Sequence, residues 1–151
     1  MMYPIVLTKP IQFDALVIGG GPVGERKVRG LLQVASAVTL ISPTATPQLQ
    51  TWAENGEIRW EKRPFQPTDL DNTNLIFAAT NQRAINAQIA QLAHAKGLLC
   101  NVADAPNEGS FHLPAVHRGS DTLITVSTYG ANPSRARHLR DKIAAWLEEI
   151  N

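Results

Sequence analysis

Short apolar runs alternate with helix-like segments along the first two thirds of the chain. Apolar strands are predicted at residues 13–18, 37–41, 75–79 and 98–102, and a weaker strand, of the kind found at a sheet edge, is predicted at 58–61. A first helix is predicted at residues 22–34. A second is predicted from Pro47, with Thr46 as its cap, to a stop at Asn55-Gly56, and a third at residues 82–96 with Asn81 as its cap. Apolar runs of this length separated by helices are typical of parallel strands covered on both faces. The pattern predicts an α/β fold with a doubly wound, mostly parallel sheet in the strand order 3-2-1-4-5.

The first predicted strand runs directly into the glycine-rich turn Gly19-Gly20-Gly21-Pro22-Val23-Gly24. In such a G-x-G-x-x-G turn the first glycine allows a tight bend, the second lets the backbone approach a pyrophosphate, and the third lets helix and strand pack closely. Pro22 suits a first helical turn, where its missing N–H would be unpaired, and the amides that follow would face phosphates. The motif predicts a Rossmann-like dinucleotide site, with a glycine-rich turn in an ordinary α/β domain as the alternative.

The residues after the second strand bear on which dinucleotide binds. An Asp or Glu there commonly binds the adenosine ribose, but this chain has Ser42, Pro43 and Thr44. Ser42 and Thr44 can hydrogen-bond a ribose hydroxyl, and no arginine stands there to receive a 2′-phosphate. The sequence therefore favours NAD over NADP, with the alternative that Ser42 merely ends the strand.

Polar residues also follow the fourth and fifth strands. Ligands of open α/β sheets lie outside the carboxyl ends of the strands, so we expect Thr80, Asn101 and Val102 to meet the cofactor. Asp104 is the candidate for proton transfer, because a carboxylate at this edge can accept a proton from a bound substrate. The alternative is a loop carboxylate that caps nearby amides.

The pattern changes after Asp104. Residues 110–116 and 123–128 are predicted to be extended around a turn at 118–121, and a final helix is predicted from Asn132-Pro133 to Ile150. This tail is too short for a core of its own, so we expect it to pack on the sheet or on a second copy of the chain. The predicted organisation is a dinucleotide-binding domain at 1–109 followed by a dimerisation segment at 110–151.

Composition and charge argue against several classes of protein. The 151 residues carry a net charge of +1, which gives no basic field for nucleic acid. No apolar run approaches the ~20 residues that a membrane span needs, and the N-terminus lacks the basic lead and apolar core of a secretion signal. The single cysteine, Cys100, falls in a buried strand and allows no internal disulfide. These features predict a cytoplasmic protein.

Most of the remaining conspicuous side chains are predicted to be structural or exposed. The histidines at 94, 112 and 117 do not have the spacing of a metal site, and Trp52, Trp60 and Trp146 are predicted to be packing anchors. The final helix is rich in basic residues, which fits a solvated face or a polyanion site equally well. They are Arg135, Arg137, His138, Arg140 and Lys142, to which Arg26, Lys27 and Arg29 of the first helix could add.

Five short segments carry a family resemblance when they are taken in order along nearly the whole chain. They are GGGPVGERK at 19–27, AATN at 78–81, CNVADAP at 100–106, SFHLP at 110–114 and NPSRAR at 132–137. Together they resemble the precorrin-2 dehydrogenase family, the dehydrogenase and ferrochelatase module of sirohaem synthases. The resemblance implies that NAD oxidises precorrin-2, a reduced tetrapyrrole rich in carboxylates, to sirohydrochlorin, with iron insertion in some members.

The resemblance also implies roles for individual residues. Asp104 matches the proposed catalytic acid/base, and backbone contacts to NAD match Pro22, Val23, Pro43 and Thr44. Members are homodimers, built through the region from Ser110 to the last helix. Precorrin-2 contacts are expected from Ser110, Thr128, Arg135 and Arg137.

Two departures from the family pattern and one rival class stay open. Tyr129 occupies a position where the family commonly has glycine, so its ring would narrow the substrate cleft or stack on the macrocycle. Larger members continue beyond the point that corresponds to Asn151. The chain is therefore either a short member that catalyses dehydrogenation alone or a piece of a longer protein, and both alternatives stay open. The rival is a dinucleotide-sensing regulatory domain without catalysis, which usually carries the acidic residue after the second strand and lacks the CNVADAP block.

Overall fold

The computed structural model describes residues 2, 4–6 and 13–150. Much of the N-terminal stretch considered for a secretion signal therefore lies outside the described residues. The chain divides into two compact units, one running from Ile5 to Phe111 and the other containing the residues from His112 onward.

Within residues 13–111 the first unit is built on a parallel sheet of five strands in the order β3-β2-β1-β4-β5, as predicted. The strands are β1 (Asp14–Ile18), β2 (Ala37–Ile41), β3 (Arg59–Glu61), β4 (Leu75–Ala78) and β5 (Leu99–Val102). Ile18 lies opposite both Ile41 and Ala78, so β1, β2 and β4 end at one level. The direction of winding reverses between β1 and β4, which opens a crevice at the carboxyl edge of the sheet.

Helices cover both faces of this sheet. They are α1 (Pro22–Leu31), α2 (Pro47–Glu54), α3 (Arg83–Ala95) and a 3₁₀ turn (Pro67–Leu70). α1 and α2 pack on one face, where the buried side chains include Val17, Leu40 and Phe77. α3 and the 3₁₀ turn cover the other face over Leu16 and Ile76. Successive side chains of a strand point to opposite faces, so the central strand β4, which is buried at all four positions, is apolar on both faces.

Two predicted features of the helices are wrong. α1 ends at Leu31 rather than at residue 34, because the amides of Val34 and Ala35 turn back to the carbonyl oxygen of Leu31 at 2.9 and 2.8 Å. Asn81 does not cap α3. That helix begins at Arg83 with Gln82 in the cap position, and no described side chain bonds there as a cap.

The second unit, in residues 112–150, is an antiparallel hairpin with a helix packed on it. The elements are β6 (Ala115–Arg118), β7 (Leu123–Val126) and α4 (Pro133–Ile150). The Oδ1 atom of Asn132 accepts a hydrogen bond from the Arg135 amide at 2.9 Å and so caps α4. The first extended segment was predicted from residue 110, and this is wrong because Ser110 instead bonds to Cys100 of β5.

The hairpin and α4 leave apolar side chains uncovered within a single chain. Trp146 is 57% exposed, so its predicted role as a packing anchor is wrong for one copy of the chain. Leu123 and Ile143 are exposed as well. Among the described helices, none combines the length and the apolar character needed to cross a bilayer.

Cys100 is completely buried in β5, and this burial raises the pKa of its thiol to about 11. At about pH 8 the folded protein should therefore resist alkylation by iodoacetamide, since thiolate is the reactive form and its fraction is ~100-fold below that of an exposed thiol. Mass spectrometry should find the residue alkylated only after unfolding. Rapid labelling of the native protein would contradict this prediction.

Candidate functional site

A groove of about 590 Å³ lies at the carboxyl edge of the sheet, where β1, β2 and β4 end. Segments that follow four of the strands line it. The lining consists of residues 18–23, residues 41–44, Pro64, Phe65, residues 79–82 and Ile85. This is the crevice at which open α/β sheets bind their ligands.

The glycines of the turn after β1 are needed for different reasons, some for the fold and one for open space at the groove. Gly19 has φ +117°, and a β-carbon on it would overlap the carbonyl oxygen of Ala79. A β-carbon on Gly20 would overlap the carbonyl of Thr44, and one on Gly24 would overlap that of Gly19. The fold itself therefore requires these three.

Gly21 is different. A β-carbon built there meets no heavy atom of the described residues within 4 Å, immediate chain neighbours aside. Its φ of −82° and ψ of −175° are open to any residue. Because Gly21 also lines the groove, the missing side chain leaves open space at the mouth of the site, which fits the close approach of a pyrophosphate.

The glycine turn is fastened to the neighbouring strand by hydrogen bonds. The Gly20 amide donates to Ser42 Oγ at 3.0 Å, and the Gly19 amide donates to the Ile41 carbonyl at 3.0 Å. Trp60 Nε1 donates to the Ser42 carbonyl at 2.9 Å. Ser42 is thereby buried and fixed, although its hydroxyl hydrogen is still able to donate.

The start of α1 can receive an anion. Gly21 is its N-cap, Pro22 is its first residue, and no described side chain caps it. The first-turn amides have no partner inside an α-helix, so they are open to phosphate oxygens. Glu25 in the same turn is held by Thr46 Oγ1 at 2.8 Å and Arg29 at 2.7 Å. The Thr46 hydrogen bond, followed by Arg29, lowers the pKa of this carboxyl.

Thr80 is held at the groove by a buried asparagine. Asn86 Oδ1 accepts hydrogen bonds from the Thr80 amide at 3.1 Å and from its hydroxyl at 2.7 Å, and Asn86 Nδ2 donates to the Thr80 carbonyl at 3.0 Å. The Thr80 hydroxyl also accepts from the Gln82 amide at 3.1 Å. These bonds set the turn after β4 without a side-chain cap on α3.

Asp104 lies in the loop after β5, one strand along the same edge from β4. The base of this loop is closed by Ser110, whose amide donates to the Cys100 carbonyl at 2.8 Å and whose Oγ accepts from the Cys100 amide at 2.8 Å. Asn101 Nδ2 donates to the Phe111 carbonyl at 3.0 Å. The buried Oδ1 of Asn101 has no hydrogen-bond partner among the described residues.

The predicted site residues fall into three groups. The groove lining includes Gly19, Gly21, Pro22, Val23, Ser42, Pro43, Thr44 and Thr80. The lining does not include Gly24, Asn101, Val102, Asp104 or Ser110, all of which belong to the same unit. Thr128, Arg135 and Arg137 belong to the second unit.

In that second unit the predicted substrate residues surround the start of α4. Thr128 Oγ1 accepts from the Asn132 amide at 3.1 Å, and Arg137 donates to Ser134 Oγ at 3.3 Å. Tyr129 has φ 55° and an exposed ring. Residues 13–149 contain no cluster of three or more His, Cys, Asp or Glu side chains placed to hold a metal ion.

The basic residues of α1 pack within their own unit. Lys27 Nζ lies 5.8 Å from the centre of the Phe77 ring, and burial, followed by the charge of Arg26, lowers its pKa. Arg29 pairs with Glu25 and lies 5.0 Å from the Trp52 ring. That Arg26, Lys27 and Arg29 extend a polyanion site on the last helix stays a prediction.

Sequence reasoning missed several residues of the site. Pro64 and Phe65 line the groove just after β3, and the rule that ligands lie beyond strand ends could have found them. Asn86 gave no local signal, because it reads as one more helical position. Arg83 and Glu108, which contact each other beside Asp104, lie too far apart in sequence for spacing to reveal the contact.

Comparisons with known proteins agree with this geometry. A family model described as "Putative NAD(P)-binding" matches residues 6–115. A protein named siroheme synthase 2 from Klebsiella pneumoniae is 40% identical over 136 residues, which is 90% of this chain and 30% of that protein. Siroheme synthase from Salmonella dublin is 38% identical over 136 residues, again 90% of this chain and 30% of that protein. The chain thus spans about 30% of the length of these relatives.

A solved structure titled "SirC, precorrin-2 dehydrogenase" superposes with a TM-score of 0.84 at 27% sequence identity. The match covers 95% of this chain and 70% of that one. It includes the parallel sheet as well as most of the residues beyond it.

Proposed function

Because the chain belongs to a family of NAD(P)-binding proteins, we propose that it catalyses the NAD-dependent dehydrogenation of precorrin-2 to sirohydrochlorin in sirohaem biosynthesis. The observation that carries the proposal is the open space at Gly21, at the mouth of a groove between the ends of β1, β2 and β4. The likeness to a precorrin-2 dehydrogenase over 95% of the chain supports the choice of substrate. Iron insertion into the product stays outside the proposal.

The groove favours NAD over NADP. Its described lining contains neither arginine nor lysine, so nothing there would neutralise a 2′-phosphate. Ser42 and Thr44 line the expected ribose position. A ribose hydroxyl can accept a hydrogen bond from Ser42 Oγ while the Gly20 amide holds that oxygen in place.

The chemistry removes a hydride and a proton from precorrin-2, and bound NAD supplies the hydride acceptor. The amides at the start of α1 would bind the pyrophosphate, and Thr80, which Asn86 fixes at the groove, would contact the nicotinamide half of the cofactor. Asp104 accepts the proton on a carboxylate oxygen. Arg135 and Arg137, both exposed on α4, would bind substrate carboxylates as charge-assisted partners. Ser110 holds the base of the Asp104 loop, and Thr128 accepts a hydrogen bond at the start of α4, so each would order its own segment for the substrate.

The proposal is tested by mixing the purified chain with NAD and enzymatically made precorrin-2 while recording absorbance spectra. Sirohydrochlorin and NADH should form together, and omission of either reactant should abolish both signals. NAD binding without turnover would favour the regulatory alternative. Turnover that proceeds equally well without NAD would contradict the proposed cofactor.

We include a homodimer, built through residues 110–151, in the proposed function. The support is the apolar surface that the second unit leaves uncovered, including Leu113, Leu123, Ile143 and Trp146. Exposed apolar side chains gathered on one small unit support an interface between two copies of the chain. The proposal includes neither a membrane nor a nucleic acid as a binding partner.

Light scattering should give a mass about twice the 16.5 kDa of one chain at micromolar concentration. Trp146→Lys should lower the measured mass towards that of a single chain, because a charge would then lie in the apolar interface. Leu99→Lys is the matched control, since Leu99 is similarly exposed but lies on β5 of the other unit. A stable monomer in the parent would contradict the assembly.

A further inference from the structure

A single arginine on α3 contacts both carboxylates of the loop that carries Asp104. Arg83 Nη2 donates to Glu108 Oε1 in a short contact, and Arg83 Nη1 lies 3.7 Å from Asp104 Oδ1. Asp104 lies two residues before the 3₁₀ turn Pro106–Glu108, and Glu108 is the last residue of that turn. One planar guanidinium therefore spans the tip of this loop.

The position of Arg83 is unfavourable unless it serves these contacts. It is the first residue of α3, and the first turn of that helix has no acidic residue. A cation at a helix N-terminus opposes the helix dipole. Pairing with two carboxylates offsets this cost, and the hydrogen bond with Glu108, followed by the nearby charges of Glu108 and Asp104, raises the pKa of Arg83.

The loop is fastened at its base as well as at its tip. The base is closed by Ser110 on Cys100, and Gly109 is required there because a β-carbon would lie 2.8 Å from the Cys100 carbonyl oxygen. The Ala103 amide donates to the Ala78 carbonyl at 3.0 Å and continues the sheet. Apart from these bonds, the described ion pairs of Asp104 and of Glu108 are both formed with Arg83.

We propose that Arg83, anchored by Glu108, is a positioning residue that holds the Asp104 carboxylate in the orientation used for proton removal. This inference rests on the proposed function. Arg83 and Glu108 do not line the groove, so their effect reaches the reaction through Asp104 and leaves cofactor affinity unchanged. Small misplacements of a reacting group are costly in rate, which makes such a contact significant even at the surface.

The test compares Arg83→Met, Glu108→Gln and Arg83→Lys with Lys96→Met. Lys96 is the matched control because it lies just beyond the other end of α3 and pairs with Asp71 at 2.7 Å, with similar exposure of both side chains. In the full chain, Arg83→Met and Glu108→Gln should each lower kcat for precorrin-2 by about 10-fold, with KM for NAD unchanged. Arg83→Lys should recover part of the loss, since it keeps the charge but not the fork.

Hydrogen exchange gives a second measurement that needs no turnover. Amides of residues 103–109 should exchange about 3- to 5-fold faster in Arg83→Met and Glu108→Gln than in the parent or in Lys96→Met. Faster exchange with an unchanged kcat would overturn the positioning role and leave Arg83 a structural residue. No change in either measurement would overturn the inference altogether. A parent that never oxidises precorrin-2 would instead refute the proposed function, and exchange alone would then decide whether Arg83 holds the loop.

Discussion

Replacing Asp104 by alanine is expected to lower the turnover of precorrin-2 by about 10²- to 10⁴-fold while the fold and the affinity for NAD are kept. Dehydrogenation releases a proton as well as a hydride, and the nicotinamide takes only the hydride. Asp104 is the carboxylate that follows β5 at the edge where cofactor and substrate should meet. Steady-state kcat, calorimetric Tm and titration with NAD would measure the three quantities.

The stability part of this expectation follows from exposure. The Asp104 side chain is 38% exposed and its ion pair with Arg83 is long at 3.7 Å, and surface pairs of this kind contribute only about 0–1 kcal/mol. Asp71→Ala is a suitable control, because it removes a similarly exposed carboxylate from its pair with Lys96. If Asp104→Ala turns over at close to the parent rate, proton removal must fall to water or to a substrate carboxylate.

Gly21→Val should weaken NAD binding at least ~10-fold, or about 1.4 kcal/mol, with little change in Tm. A β-carbon at this position meets no other part of the described chain within 4 Å, so we expect the substitution to cost the fold little. It would fill the space that the pyrophosphate needs. Fluorescence or calorimetric titration would give the affinity.

Two further glycines make the interpretation sharp. Gly30→Val is the matched control, since a β-carbon on Gly30 of α1 also meets nothing within 4 Å but lies away from the groove lining. It should leave NAD affinity unchanged. Gly20→Ala should instead lower Tm, because its methyl group would overlap the Thr44 carbonyl. Unchanged NAD binding in Gly21→Val would refute the assignment of the site.

The sheet could be predicted from sequence because its signals are local. Most of the strands are apolar runs between strong helix or turn residues, with β3 (Arg59–Glu61) as the exception, and β2 (Ala37–Ile41) was predicted to the residue. The strand order followed from the alternation of strands and helices together with the glycine turn after β1. Thr46 was predicted as the cap of α2, and its Oγ1 does accept a hydrogen bond from the Leu49 amide.

The failures concern hydrogen bonds in which a side chain satisfies a backbone group several residues away along the chain. Asn81 looked like a cap, yet the turn before α3 is set by Thr80 and the buried Asn86. Ser110 looked like the start of a hairpin strand, yet it bonds back to Cys100. In both cases a side chain satisfied backbone groups that a local pattern would assign elsewhere. The groove at the glycine turn could be located from sequence. The role of Asp104 stays a prediction, and the arginine beside it was visible only in three dimensions.

The different roles of Gly19, Gly20, Gly21 and Gly24 also bear on how sequences of this family diverge. Selection for a stable fold alone would keep Gly19, Gly20 and Gly24, since each faces a carbonyl oxygen of the protein itself. Only selection for a bound dinucleotide would keep Gly21. In a descendant that retained the fold but abandoned its cofactor, Gly21 would be the first of the four free to drift. Among sequences of otherwise equal similarity, the residue at this one position would then separate lineages that still use a dinucleotide from those that have lost it.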